Sequence, residues 1–200
     1  MPGRGRPRMF DAEQALAKAG AIFWCKGFSA TSLDDVAGAM ALNRPSIYAA
    51  FGDKATLYRA ALAQFCGHMR SAAAHTLDGR QTVRRELEAF FRAALDTYFA
   101  DTPPRGCMLV CTAPAEALND TSLRDVYAAV IDELDLLLAN RLALAVEAGE
   151  LPRQTDTRTT AQLLHALLQS VALRARGGTS RRRLSRLVSK SLDVLLAGPP

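Results

Sequence analysis

Residues 41–54 read ALNRPSIYAAFGDK. Asn43 has the side-chain oxygen that caps a helix start, and Pro45 follows where a missing N–H costs nothing. Gly52 supplies a stop. The stretch is therefore predicted to be a short helix over residues 43–51. Ile47 and Phe51, four apart, share the face that turns towards a core. The other face presents Arg44, Pro45, Ser46 and Tyr48, unusually dense polar chemistry for so short a helix.

Upstream, residues 11–25 carry apolar side chains at Ala15, Leu16, Ala19, Ile22 and Phe23, a helical stripe, with Asp11 as N-cap and Gly27 as stop. Thr31 is expected to cap a second helix running to Met40, with Asp34 completing a capping box. A short turn joins this helix to the one after Asn43. Three short helices so arranged make a helix-turn-helix.

Downstream, a helix is expected from Asp53 to Met69. Others are expected at residues 82–100, at 107–118 with an interruption at Pro114, at 121–148, at 157–175 and at 180–196. Asp78-Gly79-Arg80, Pro103-Pro104, Pro152 and Gly177-Gly178 mark the breaks. No segment alternates as a strand would, so the fold class is all-α. The boundary is placed near residue 52, giving an N-terminal unit over 1–52 and a larger helical unit over 53–200.

The chain has 200 residues, 49% hydrophobic and 22% charged, which places it among globular proteins. Its net charge of +5 is a moderate bias towards an anionic partner. The first ten residues hold Arg4, Arg6 and Arg8 and no acid. No apolar h-region follows that basic start, and no apolar run is long enough to span a bilayer. Cys25, Cys66, Cys107 and Cys111 lack zinc-type spacing, so a reduced, cytoplasmic protein with no metal and no cofactor is expected. His68, His75 and His165 form no recognised catalytic spacing with the cysteines, which argues against an enzyme.

In a helix-turn-helix the second helix of the motif enters the major groove, with its N-terminal residues at base edges. Arg44 stands there, and a guanidinium reads guanine O6 and N7 with two bonds. Pro45 offers an apolar face to a thymine methyl, Ser46 suits a phosphate or a base, and Tyr48 suits a phosphate oxygen. The bland alternative is a solvated cap on an ordinary helical hairpin. A helical adaptor that binds only protein is the further alternative, told apart by the steep salt dependence of phosphate contacts.

From Ala15 to Leu57 the chain resembles the DNA-binding region of the TetR family of transcriptional regulators. The resemblance rests on Phe23, Gly27-Phe28, Thr31-Ser32, Asp35-Val36-Ala37, Leu42-Asn43, Ser46-Ile47-Tyr48, Phe51, Lys54 and Leu57. It implies an N-terminal DNA-binding unit followed by a helical unit for ligand binding and dimerisation. It implies that Thr31 and Lys54 reach phosphates, and that Asn43, Arg44, Pro45, Ser46 and Tyr48 face the duplex. Two departures stand out: Ala41 where many members have Gly in the turn, and Ala50 where many have His. Arg4-Gly5-Arg6-Pro7 is an AT-hook-like segment whose Arg4 and Arg6 suit a narrow minor groove.

The resemblance also implies an effector pocket between the helices of residues 53–148. Phe65, Met69, Phe91, Tyr98, Cys107, Met108, Cys111 and Tyr127 are its candidate lining, and the expected effector is small and largely apolar. Cys107 and Cys111, four apart on one face, raise the alternative of a redox or electrophile sensor. The last two helices carry apolar stripes at Leu164, Leu167, Leu168 and Val171, then at Leu184, Leu187, Val188, Leu192 and Leu195. In the family such helices form a homodimer interface. The expected function is a ligand-responsive regulator, a repressor released from a palindromic operator in double-stranded DNA.

Overall fold

The computed structural model describes residues 11–197. Its helices are α1 (Ala12–Lys26), α2 (Leu33–Met40), α3 (Arg44–Phe51), α4 (Lys54–Thr76), α5 (Val83–Tyr98), α6 (Met108–Glu116), α7 (Thr121–Glu147), α8 (Thr157–Arg176) and α9 (Arg181–Leu196). No strand occurs among the described residues. The described residues up to Gln64 form one compact unit and those from Phe65 a second, so the division falls inside α4 and not before it, at the 52/53 boundary read from the sequence.

In the first unit the expected punctuation operates with one correction. The Asp11 carboxylate accepts from Glu13 N and Gln14 N to cap α1, and Gly27 ends that helix at φ 79°. The cap of α2, however, is Ser32 rather than Thr31. The Ser32 side chain accepts from Asp35 N at 3.1 Å, and Asp35 Oδ2 accepts from Ser32 N at 2.9 Å. The box is therefore Ser32–Asp35, one residue later than expected. Asn43 Oδ1 accepts from Ser46 N at 2.9 Å and caps α3, with Pro45 in its first turn.

This unit is held together by an aromatic cluster. The Phe23 and Tyr58 rings meet edge-on at 5.2 Å, and Phe28 lies 5.2 Å from Tyr58. Val36, Met40, Ile47, Leu57 and Leu62 are buried around them. The first turns of α4 belong to this core because Leu57, Tyr58, Ala61 and Leu62 are apolar at helical spacing and all buried.

The second unit departs from expectation in three places. α4 continues past Met69 to Thr76. α6 runs through Pro114. Glu86 and Arg141, interior charges that apolar periodicity does not reveal, form a buried ion pair between α5 and α7. Arg141 also donates to Gln81 O at 2.9 Å, and Glu86 accepts from Gln81 N at 2.9 Å, so both charges are hydrogen-bonded as burial requires. Ahead of α6, Gly106 has φ 69°, and a Cβ there would lie 2.4 Å from Ala172 O on α8. Only glycine fits at that approach.

The apolar stripes of α8 and α9 point inward. Leu164, Leu168, Val171, Leu184, Val188 and Leu192 are buried within the single chain, which corrects their assignment to a dimer interface. Leu167, Leu187 and Leu195 are half-buried. The exposed apolar residues on these helices are instead Leu163, Leu173 and Val194.

Ala41 ends α2 in the left-handed region (φ 56°, ψ 38°), the only non-glycine with positive φ among the described residues. A Cβ in that region costs about 1 kcal/mol relative to glycine. Ala41→Gly is therefore expected to raise the unfolding free energy by up to ~1 kcal/mol, less the entropy a glycine adds to the unfolded chain. A denaturant titration that shows a clear loss of stability would contradict the turn geometry.

Candidate functional site

The surface of the helix-turn-helix is built by caps and one buried anchor. Ile47 is the buried residue of α3. Arg44, Pro45 and Tyr48 are exposed, with Tyr48 51% accessible, and Ser46 is half-buried beneath them. Asn43 is exposed, but its side-chain oxygen is committed to the cap. The Arg44 guanidinium is held by Asp34 of α2 through two bonds of 2.7 and 2.5 Å. That contact lowers the Asp34 pKa below the usual carboxylate range. Asp35 is lowered further, first by its bond from Lys26 at 2.7 Å and then by the Ser32 cap.

The two residues expected at phosphates both have partners inside the unit. Thr31 is 1% exposed, and its hydroxyl donates to Gly27 O at 2.6 Å, so it ties the loop rather than facing outward. The neighbouring Ser32 is exposed, but its hydroxyl is committed to the cap, donating to Asp35 Oδ2 at 2.8 Å and accepting from Asp35 N. Lys54 is half-buried, donating to Thr31 O at 2.7 Å with its Nζ 4.3 Å above the Phe28 ring. It fastens the start of α4 to the loop before α2, with ammonium protons left over. Arg4 and Arg6 lie outside the described residues.

Within the second unit a cavity of about 420 Å³ opens among α4, α5, the start of α6, α7 and α8. Phe65, Met69, Tyr98 and Cys107 are among its lining. Phe91, Met108, Cys111 and Tyr127 lie outside the lining. Helical periodicity marks a residue as inward-facing without telling which inner wall it joins. The lining missed by sequence reasoning includes Cys66, Phe90 and Leu137, and a polar corner of His165 and Gln169.

That corner has defined chemistry. Asp135 Oδ1 lies 2.6 Å from His165 Nδ1, and a carboxylate only accepts, so Nδ1 carries the proton. His165 Nε2 then faces the Gln169 amide nitrogen at 3.3 Å. At the edge of the cavity Arg70 and Glu133 pair with each other at 2.7 Å. Each charge at the cavity thus already has its counter-charge.

Burial pushes the Cys107 thiol up to about 12 and the Cys66 thiol up to about 11. Cys111 is raised by burial too, against an opposing pull from Arg176. Such thiols stay protonated near neutral pH, the reverse of what a reactive cysteine needs. Among the described residues no group of three or more His, Cys, Asp or Glu is placed to hold a metal ion, and no helix is long and apolar enough to cross a membrane.

A three-helix head with an exposed arginine at the start of its third helix, and a cavity in a separate helical unit, agree with two matches to known families. Residues 15–61 match the bacterial regulatory proteins of the tetR family, and residues 83–190 match the tetracyclin repressor-like C-terminal domain. The chain belongs to the TetR family. It is a DNA-binding transcriptional regulator of a non-enzymatic class, all-α, with a helix-turn-helix unit and a C-terminal helical unit. It is 31% identical over 198 residues to the HTH-type transcriptional repressor ComR of Escherichia coli, with 96% of this chain and 91% of that protein covered. Over 106 residues, about half of each chain, it is 36% identical to the repressor BdcR of the same organism. Among solved structures it resembles a cysteine mutant of the TetR-family regulator CifR bound to a 26-base-pair operator. That match has a TM-score of 0.85 at 31% identity and covers 98% of this chain and 100% of that one.

The raised thiols lead to a labelling pattern. In the folded TetR-family protein, iodoacetamide is expected to modify exposed Cys25 readily and Cys66 and Cys107 only on unfolding. Even at about pH 9, a thiol with a pKa about three units higher is ionised in only about one molecule in a thousand. Mass spectrometry of labelled peptides checks this. Fast labelling of Cys107 in the folded chain would contradict its burial.

Proposed function

We propose that the protein is a repressor that binds a palindromic operator as a homodimer and is released by a small, uncharged, largely apolar ligand. The observation that carries the DNA side is the exposed row of Arg44, Pro45 and Tyr48 on a helix anchored from behind by Ile47. Arg44 and Pro45 meet base edges in the major groove, Tyr48 bonds a phosphate, and the spare protons of Lys54 contact the backbone near the head of α2. Repression is supported by the repressors ComR and BdcR, and operator binding by the operator-bound CifR structure. The dimer forms through the outward faces of α8 and α9, where Leu163, Leu173 and Val194 are exposed. Such a regulator works in the cytoplasm, where its operator is.

The ligand binds in the 420 Å³ cavity. Aromatic and aliphatic walls take its body, and one hydroxyl or carbonyl bonds the His165–Gln169 corner. An ionised ligand would lose its hydration, while Arg70 is already paired with Glu133 and Asp135 Oδ1 already accepts from His165 Nδ1. Phe65, Met69 and Ala73 of α4 line the cavity, while Tyr58 and Lys54 of the same helix hold the DNA-binding unit together. A ligand that fits the cavity in only one setting of α4 therefore has different affinities for the two states, which is what release requires. The sensor reading through Cys107 and Cys111 is disfavoured by the raised thiols.

Arg44→Ala should cost about 1–3 kcal/mol of operator affinity and flatten discrimination at one operator position, while the fold is retained. Gel-shift titrations against single-base operator variants read this out, and undiminished discrimination would sink the assignment of α3. For the ligand, size-matched hydrophobic compounds should divide by charge: neutral alcohols, phenols and ketones release the protein from its operator, and carboxylates and amines do not. Release by carboxylates, with neutral compounds inert, would refute the uncharged-ligand reading.

A further inference from the structure

Arg44 is not a free arginine. Its Nε–H donates to Asp34 Oδ1 at 2.7 Å and its Nη2 to Asp34 Oδ2 at 2.5 Å. A guanidinium has two edges that can make paired bonds. One joins Nε–H to a terminal nitrogen, and the other joins the two terminal nitrogens. Asp34 fills the first edge. The second remains available, and its paired donors match the O6 and N7 acceptors of guanine.

The pair does little for the fold. Its partners are 56% and 70% exposed, and exposed ion pairs contribute little stability. Asp34 also places a carboxylate on the surface that faces phosphates, which works against affinity for any duplex. An arrangement that weakens binding and hardly stabilises the fold points to discrimination.

We propose that Asp34 is a specificity-determining positioning residue, which holds Arg44 in the one orientation that presents its terminal edge to a guanine. This rests on the reading of α3 as the major-groove helix. Without Asp34 the long Arg44 side chain is released into many rotamers, and phosphate oxygens compete with the base for it. With Asp34 in place, swinging Arg44 to a phosphate breaks two charge-assisted bonds and leaves a bare carboxylate beside the backbone. A guanine accepts both protons of the presented edge. An adenine at the same place turns an amino donor towards that edge and is rejected.

The test compares wild type, Asp34→Ala, Asp34→Asn, Asp34→Glu and Arg44→Ala. Each binds operator duplexes that carry each of the four base pairs, one position at a time, and also non-operator DNA across a salt series. Circular dichroism and thermal melting confirm that each variant is folded. Wild type should prefer guanine at one position by roughly ten- to a hundredfold. Asp34→Ala and Asp34→Asn should reduce that preference to a few-fold and bind non-operator DNA more tightly. Asp34→Glu, which keeps the charge and the paired acceptors, should retain more of the preference than Asp34→Ala. If the Asp34 variants keep the full preference while Arg44→Ala loses it, Asp34 does not position Arg44 and the inference falls, although α3 remains the reading helix. If Asp34→Ala strengthens binding to every duplex equally, Asp34 only repels DNA and the inference again falls. If Arg44→Ala keeps full discrimination at every position, the reading-helix assignment itself falls.

Discussion

The burial of Ile47 is the constraint from which the DNA-binding surface follows. α3 has eight residues, and a helix that short is not stable alone in water. It forms because Ile47 is fully buried, Asn43 caps its start, and Gly52 at φ 78° lets the chain leave at once. Burying Ile47 sets the rotation of α3, and in that setting Arg44 and Tyr48 are exposed. Asp34 then adds what burial alone does not, a fixed direction for the guanidinium.

Residues of α4 belong to both units. Its first turns carry Leu57, Tyr58 and Leu62 into the core of the DNA-binding unit, and its later turns carry Phe65, Met69 and Ala73 to the cavity. In the second unit the buried Glu86–Arg141 pair, satisfied by Gln81 on both sides, joins α5 to α7. Removing either partner alone would leave a bare charge in the interior, so the two helices are tied to one register. The cavity keeps a polar corner at His165 within an apolar shell, a composition suited to a ligand that is mostly hydrocarbon.

Most of the first unit was legible because its local signals are independent and agree. Cap residues, glycine stops and the Ile47–Phe51 spacing all place α3 over the same residues. The cap of α2 was displaced by one because Thr31 and Ser32 are both cap-formers, and only the packing of Thr31 against Gly27 O decides between them. The phosphate role of Lys54 comes from the family resemblance, and nothing local shows the carbonyl and ring that also receive its ammonium. In the second unit, periodicity found the buried residues of α5, α8 and α9 and could not apportion them. Phe91 and Met108 went to the core, Tyr98 and Cys107 to the cavity, and Leu164 and Leu184 to the interior of one chain rather than to a partner. Apportionment depends on contacts between helices distant in sequence, as does the pairing of Asp34 with Arg44.

On the proposed function, this chain reads DNA as a two-fold dimer through α3. Selection of bound sequences from a random duplex pool, with the purified protein at near-physiological salt, tests it most directly. The account predicts enrichment of an inverted repeat whose half-sites lie about one helical turn apart, roughly 34–36 Å, with a guanine contacted in each half. Enrichment of a single asymmetric site, or none at all from well-folded protein, would contradict it.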